Sequence, residues 1–314
     1  MELSGYISYL VFFLSMVGIY AVLALGLNMQ WGFTGQLNIG VAAFFAVGAY
    51  SSAILTTAAS GDHLGGFGMP FVVGLVVAMA VAGVLALAVG LITLNLRSDY
   101  LAIATIGIAE IVRLVLKNEQ WLTNGVRGMP SIPNPVGWLS GGGRALAFLG
   151  VVALIVAAVY WTVERLYRSP WARVLRAIRA NEDGVRAAGK NVLRYRVEAF
   201  VIGSMFMGLG GALYAHFTGF ISPAAFDPMF ATFVVWVMLI AGGSGNNRGA
   251  LLGALVIWGV WTLTESFTGL LPGDLATRAS ALRIFLIGLL LEIILLTRPQ
   301  GLLPERPPKP IDSN

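Results

Sequence analysis

The chain has 314 residues, of which 57% are hydrophobic and 11% charged, and its mean hydropathy is +0.81. Soluble domains carry about 25% charged residues, so this composition excludes an ordinary water-soluble protein and points to lipid as the main solvent. A net charge of +5 would fit nucleic acid in a soluble protein, but the basic residues here are bunched in one loop, and the absence of cysteine excludes a disulfide framework, a thiolate metal site and a cysteine nucleophile.

Segments 69–96 and 145–163 carry no charge at all, and a bilayer core of roughly 30 Å needs about 20 apolar residues per helix. In chain order the spans expected on this criterion are 7–29, 36–58, 70–94, 98–117, 145–164, 197–218, 229–243, 248–267 and 281–297. The expected fold is therefore all-α: a polytopic membrane bundle of about nine to ten transmembrane helices. It forms one domain over 1–314, with a cytosolic loop at 165–196 holding a short helix and a cytosolic tail at 298–314, partly disordered and rich in proline. Residues 1–5 hold no Lys or Arg, unlike a signal peptide, so the first apolar run is read as a retained span.

The first two spans are joined by the short turn 31–36, whose backbone must face protein or a water-filled cavity. Around it, Asn28, Gln30, Thr34, Gln36 and Asn38 place polar groups at membrane depth, where they need partners. A hydrated translocation path would supply those partners, which makes these five the candidate pore residues. The span–glycine turn–span pattern of 7–58 returns faintly at 229–267, as a parallel repeat would. Gly245, Gly249 and Gly253, and likewise Ser204 and Gly208, repeat every four residues, a spacing that suits close helix packing more than pore lining.

Orientation follows the positive-inside rule. With the C-terminus inside, the inner segments hold Arg97, the cluster from Arg165 to Arg196, Arg248, Arg298, Arg306 and Lys309. The outer ones hold only Arg113, Lys117, Arg127, Arg144, Arg278 and Arg283. Within the membrane, Glu110 and Arg113 are three apart on one helix, with Lys117 four further on, and can pair. They read as a neutralised structural pair near the outer end or as a contact on a substrate path. Glu292 has no local partner, so it is expected to pair across helices or to lie near a cavity. Glu198 is expected at the start of the sixth span, where its charge suits a helix N-terminus. His63 and His216 show no metal-like spacing, and no catalytic cluster emerges.

The loop 165–196 is the most informative stretch. Ser169 can cap a helix that begins at Pro170. Trp171, Val174, Leu175 and Ile178 share one face of it, opposite Arg173, Arg176 and Arg179, as in a helix lying on the inner membrane surface. A second short helix follows: Asn181 caps it, Glu182 and Asp183 favour its N-terminal dipole, and Gly189 after Ala187 and Ala188 ends it. The loop is either a basic anchor or a docking surface for a cytosolic partner. Gly184 to Asn191 nearly spells a phosphate-binding loop, but Asn191 lacks the hydroxyl that would hold Mg²⁺ and no strand precedes it. The chain is thus not expected to hydrolyse ATP.

Several motifs together resemble the permease subunits of branched-chain amino acid ATP-binding-cassette importers, in the order and spacing of the longer, M-type subunit. They are the run 25–40 with 42–50, Ser98-Asp99-Tyr100-Leu101 through Arg113, Ser169-Pro170-Trp171, Asn181-Glu182-Asp183, and Arg298-Pro299-Gln300-Gly301. The resemblance implies a permease in the bacterial inner membrane that works by alternating access, pairs with a second permease subunit, binds two cytosolic ATPases and receives substrate from an extracytoplasmic binding protein. It implies no cofactor in this chain, with ATP and Mg on the partner ATPases, and no nucleic acid. The helix from Glu182 to Gly189 would be the coupling helix, although Gly184 stands where alanine is usual and Lys190 where an apolar residue is usual. Related permeases for urea or short amides could share these motifs. An ion-coupled secondary transporter would instead place Asp, Glu or His in mid-membrane, where this sequence is poor in them.

Overall fold

A computed structural model of the chain describes residues 2–305, except 60, 62, 95, 97, 140–141 and 269–272. Arg97, Arg306 and Lys309, assigned above to the inner side, lie outside the described residues, as do the side chains of Arg278 and Arg283. The elements are α1 (Glu2–Leu27), α2 (Val41–Thr56), α3 (Phe71–Thr93), α4 (Ser98–Asn118), α5 (Gln120–Thr123), α6 (Gly142–Tyr167), α7 (Pro170–Ala180), α8 (Glu182–Ala187), α9 (Val192–Thr218), α10 (Pro228–Gly242), α11 (Asn247–Thr268) and α12 (Gly273–Thr297). The described residues form no sheet, only an isolated bridge between Met129 and Ile221. Among the described residues, four helices are long and apolar enough to cross a membrane: Gly5–Gly32, Phe71–Thr93, Gly142–Tyr167 and Val192–Thr218. Shorter apolar helices cover Val41–Thr56, Ala231–Gly242 and Ile284–Thr297.

Two boundaries differ from expectation, for one physical reason. The first helix does not end at residue 29, with a turn at 31–36. It widens into a π-helical turn over Asn28–Gly32 and ends at Gly35, which adopts the left-handed conformation (φ +71°) that glycine tolerates. Residues 35–40 then run without helix, so α2 begins at Val41 rather than at 36. The 16 residues of α2 span only about 24 Å at 1.5 Å per residue, short of a bilayer core. The non-helical lead-in makes up the depth. Ile39 N–H donates to Thr105 Oγ1 at 3.0 Å, about 10 Å along α4 from its first residue. Irregular backbone at that depth is possible because protein, not lipid, surrounds it.

α9 lies at the centre, packed on α1, α2 and α3. The approach is close because both sides give up side chains. A Cβ on Gly26 of α1 would lie 2.5 Å from the carbonyl oxygen of Gly203 in α9, and the converse distance is the same. α10 and α11 meet in the same way: a Cβ on Gly249 would lie 2.7 Å from the Gly242 carbonyl oxygen, and one on Gly253 would lie 3.0 Å from Gly242 Cα. Gly249, Gly253 and Gly208 thus serve helix packing, whereas Gly245 lies in the α10–α11 turn with φ +83° and faces Glu305.

The segments assigned to the inner side gather at one end. Asn247 Nδ2 donates to Glu164 at 3.0 Å, linking the start of α11 to the end of α6. The segment after α12 is no loose end as far as Glu305. Leu302 and Leu303 N–H donate to the carbonyls of Ala241 and Gly242, both at 2.9 Å, strapping it to the end of α10. At the opposite end, Leu64 N–H reaches the Trp121 carbonyl (2.6 Å) and Met129 pairs with Ile221.

Candidate functional site

The basic loop folds as two helices. Ser169 Oγ accepts from Ala172 N–H at 3.4 Å with Pro170 at the first helical position, and α7 runs to Ala180. Its apolar face does not lie open to a membrane surface. Leu175 and Ile178 are buried in the main core, with Trp171 and Val174 packed beside them, and Trp171 Nε1 donates to Glu198 at 2.8 Å. The amphipathic pattern is that of a helix covering a protein core, a use that periodicity alone does not separate from membrane contact. Glu198 itself lies more than a turn inside α9, which starts at Val192, and Arg194 pairs with it at 2.8 Å.

Asn181 Oδ1 accepts from Gly184 N–H at 2.9 Å and starts α8, and Gly189 follows its end with φ +76°. α8 buries no residue. Asn181, Asp183, Ala187, Ala188 and Gly189 are exposed and Glu182 is half-buried. Arg186 braces the helix from within, reaching Glu182 at 2.7 Å and Asp183 at 3.3 Å. A six-residue helix in isolation pays nucleation without enough bonds to offset it. Here caps, two ion pairs and the α7–α9 frame hold it in place with its outer face bare.

The polar residues of 28–38 come together in one buried region, and protein supplies partners for their side chains except Gln36 Oε1, which is buried without one. Asn28 Nδ2 donates to Asn247 Oδ1 (2.9 Å), and its Oδ1 accepts from Gly245 N–H (2.8 Å). Gln30 Nε2 donates to the Phe200 carbonyl (2.8 Å) and to Ser204 Oγ (3.0 Å), while its Oε1 accepts from Asn38 Nδ2 (2.7 Å). Asn38 Oδ1 accepts from Gly40 N–H (2.8 Å). Thr34 Oγ1 donates to the Gln30 carbonyl at 2.5 Å, and Gln36 Nε2 to the Arg196 carbonyl at 2.9 Å. None of these five lines either described cavity; their neighbours Trp31 and Gly35 line the larger one. The partners that the sequence sought in a hydrated path lie on α9 and at the α10–α11 turn. The network fastens the broken end of α1 to both.

Below this joint a cavity of about 1600 Å³ opens at the basic end, lined by Arg168, Arg176, Arg179 and Arg248 with Glu164 and Glu305 among others. Glu110 and Arg113 pair on α4 through two bonds, one of 2.8 Å from Nε to Oε2. They lie on the part-exposed surface of the chain and line neither described cavity. Glu292 departs from expectation: it is exposed on α12, and among the described residues nothing pairs with it. His216 is buried and bridges Ser52 Oγ (2.9 Å) and the Pro133 carbonyl (2.6 Å). No group of three or more His, Asp or Glu among the described residues could hold a metal ion. In the sequence Arg179 and Arg196 stand only as members of the basic loop, and no local pattern marks them, Asn247 or Glu305 as contacts of this joint.

A helical membrane bundle of this kind, with a capped basic helix pair at one end, defines a polytopic membrane protein. Residues 9–295 match the family described as branched-chain amino acid transport system / permease component, and the chain belongs to that family. It is 30% identical to the probable branched-chain amino acid transport permease protein LivM of Methanocaldococcus jannaschii, over 92% of each chain. It is 31% identical to the high-affinity branched-chain amino acid transport system permease protein LivM of Escherichia coli, over 93% of this chain and 69% of that one. It is 25% identical to the LivH permease protein of Salmonella typhimurium, over 90% of this chain and 91% of the other. No solved structure matches the chain.

Proposed function

We propose that the chain is the M-type membrane permease subunit of an ATP-driven importer for branched-chain amino acids. It acts as a single domain in the bacterial cytoplasmic membrane and crosses it about nine to ten times, a count supported at α2 by the non-helical lead-in 35–40 that extends its depth. The observation that carries the reading is α8: a helix capped and braced, with Val185 half-buried against the core, yet with no fully buried residue and most of its surface exposed. Such a surface is built for a partner. Asn181, Glu182, Asp183, Ala187, Ala188 and Gly189 would seat in a cytosolic ATPase, one of two, with ATP and Mg held there. A second permease subunit and an extracytoplasmic binding protein complete the assembly. The names of the LivM and LivH relatives support both the substrate class and the paired permeases. The translocation path passes the joint at 28–38 and ends in the arginine-lined cavity.

The test is uptake by the complex purified through a tag on this chain, in proteoliposomes with the binding protein. Leucine should accumulate only with ATP, and excess leucine but not urea should compete. Leucine movement by the chain alone without ATP would refute the reading.

A further inference from the structure

Of the polar contacts that tie α7 and α8 to the rest of the chain, two lead to one short segment, residues 32–36, while Trp171 to Glu198 ends on α9 and Arg176 to the Tyr167 carbonyl ends on α6. Arg179, in the last turn of α7, donates through one terminal nitrogen to the carbonyl of Gly32 and pairs through the other with the Glu305 carboxylate. The Gly32 carbonyl lies at the end of the first helix, where acceptors are left without helical partners. The methylene stem of Arg179 crosses Gly35, where an added Cβ would lie 3.1 Å from Arg179 Cγ. Glu305 is itself wedged: a Cβ on Gly245 would lie 2.8 Å from its carboxyl carbon. Gly245 N–H in turn holds Asn28. One guanidinium thus joins α7, the broken end of α1, the C-terminal strap and the α10–α11 turn. A second link runs from α8 itself. Glu182 pairs with Arg196 at 3.4 Å, and the Arg196 carbonyl accepts from Gln36.

We infer that residues 32–36 are the point where movement of the cytosolic helix pair enters the membrane bundle, and that Arg179, clamped by Glu305 of the C-terminal strap, is the positioning residue that carries it. The inference rests on reading α8 as the ATPase-docking helix. The geometry favours this segment over others. A continuous helix moves as a rod, whereas here the π turn and the non-helical lead-in let α1 and α2 pivot about a short stretch of backbone. The link from α7 through Arg179 and the link from α8 through Glu182 and Arg196 both end on that stretch. The chemistry favours arginine: a planar fork can hold a carbonyl and a carboxylate at once, where a lysine ammonium acts as a single point. The strap therefore belongs to the coupling apparatus and is more than a trailing end.

The test compares wild type, Arg179→Lys and Glu305→Gln in the complex purified through this chain and reconstituted with the binding protein, measuring subunit ratio, ATP hydrolysis and leucine uptake. Subunits should co-purify unchanged and ATP hydrolysis should stay near wild type, while leucine moved per ATP falls about tenfold in Arg179→Lys and several-fold in Glu305→Gln. An unchanged ratio of uptake to hydrolysis in both variants would overturn the inference. So would a parallel loss of assembly, hydrolysis and uptake in both, because that is how a merely structural contact behaves. Failure of the wild-type complex to couple leucine uptake to ATP would instead overturn the permease reading, which separates the two.

Discussion

Gln30→Met removes the centre of the polar joint while keeping nearly the same volume. Gln30 makes three side-chain bonds, to the Phe200 carbonyl, to Ser204 Oγ and from Asn38 Nδ2, all within the buried core. Bonds between membrane helices average about 0.6 kcal/mol each, so their loss alone sums to about 2 kcal/mol. The Phe200 carbonyl and the Ser204 hydroxyl have fallbacks in their own helix. Asn38 is worse placed. Its Nδ2 points at Gln30 and its Oδ1 is occupied by Gly40 N–H. An orphaned buried donor costs a further ~1–3 kcal/mol. The expected destabilisation is therefore about 3–5 kcal/mol, offset only in part by the sulfur's van der Waals contacts. Reversible unfolding of the purified chain from mild micelles by titrated sodium dodecyl sulfate, followed by tryptophan fluorescence, measures this quantity. Asn38→Leu should cost less in the Gln30→Met background than in wild type, since the two share a bond. A Gln30→Met variant within ~0.5 kcal/mol of wild type would refute the claim that the network is satisfied by protein and show that water already reaches it.

Gly203→Ala should destabilise by about 1–3 kcal/mol in the same assay, since its Cβ would meet the Gly26 carbonyl and the Gln30 side chain at once. Gly107→Ala, where a Cβ meets nothing within 4 Å, should be neutral or slightly stabilising by the helix propensity of alanine, up to ~1 kcal/mol. Glu292→Leu replaces an exposed carboxylate on an apolar helix face and should raise the thermal midpoint of the isolated chain in detergent; a fall would show that a partner holds the carboxylate. Gly189→Val places a β-branched residue at φ +76°, costs about 1 kcal/mol or more locally, and should weaken co-purification of the ATPase while leaving the fold intact by circular dichroism.

Membrane residence, all-helical character and the approximate place of each helix are determined by the sequence alone, because lipid forces every backbone group into local hydrogen bonds and so ties structure to runs of apolar residues. The two helices of the basic loop were equally legible, since caps act within four residues: Ser169 and Asn181 do what their positions announce. Only the tertiary structure decided how the interior is used. Asn28 finds Asn247 and Gln30 finds Ser204 across most of the chain's length, and no local pattern encodes such pairings. The same holds for α7, whose apolar stripe would suit lipid or protein equally until Leu175 and Ile178 are seen in the core. Arg179 is one basic residue among many in a loop that positive-inside topology would fill with charge in any case. What sets it apart is a carbonyl left open by a break in α1 and a carboxylate brought up by the C-terminal strap. Local rules fix where helices form, whereas the meeting of side chains distant in sequence is fixed only by how those helices pack.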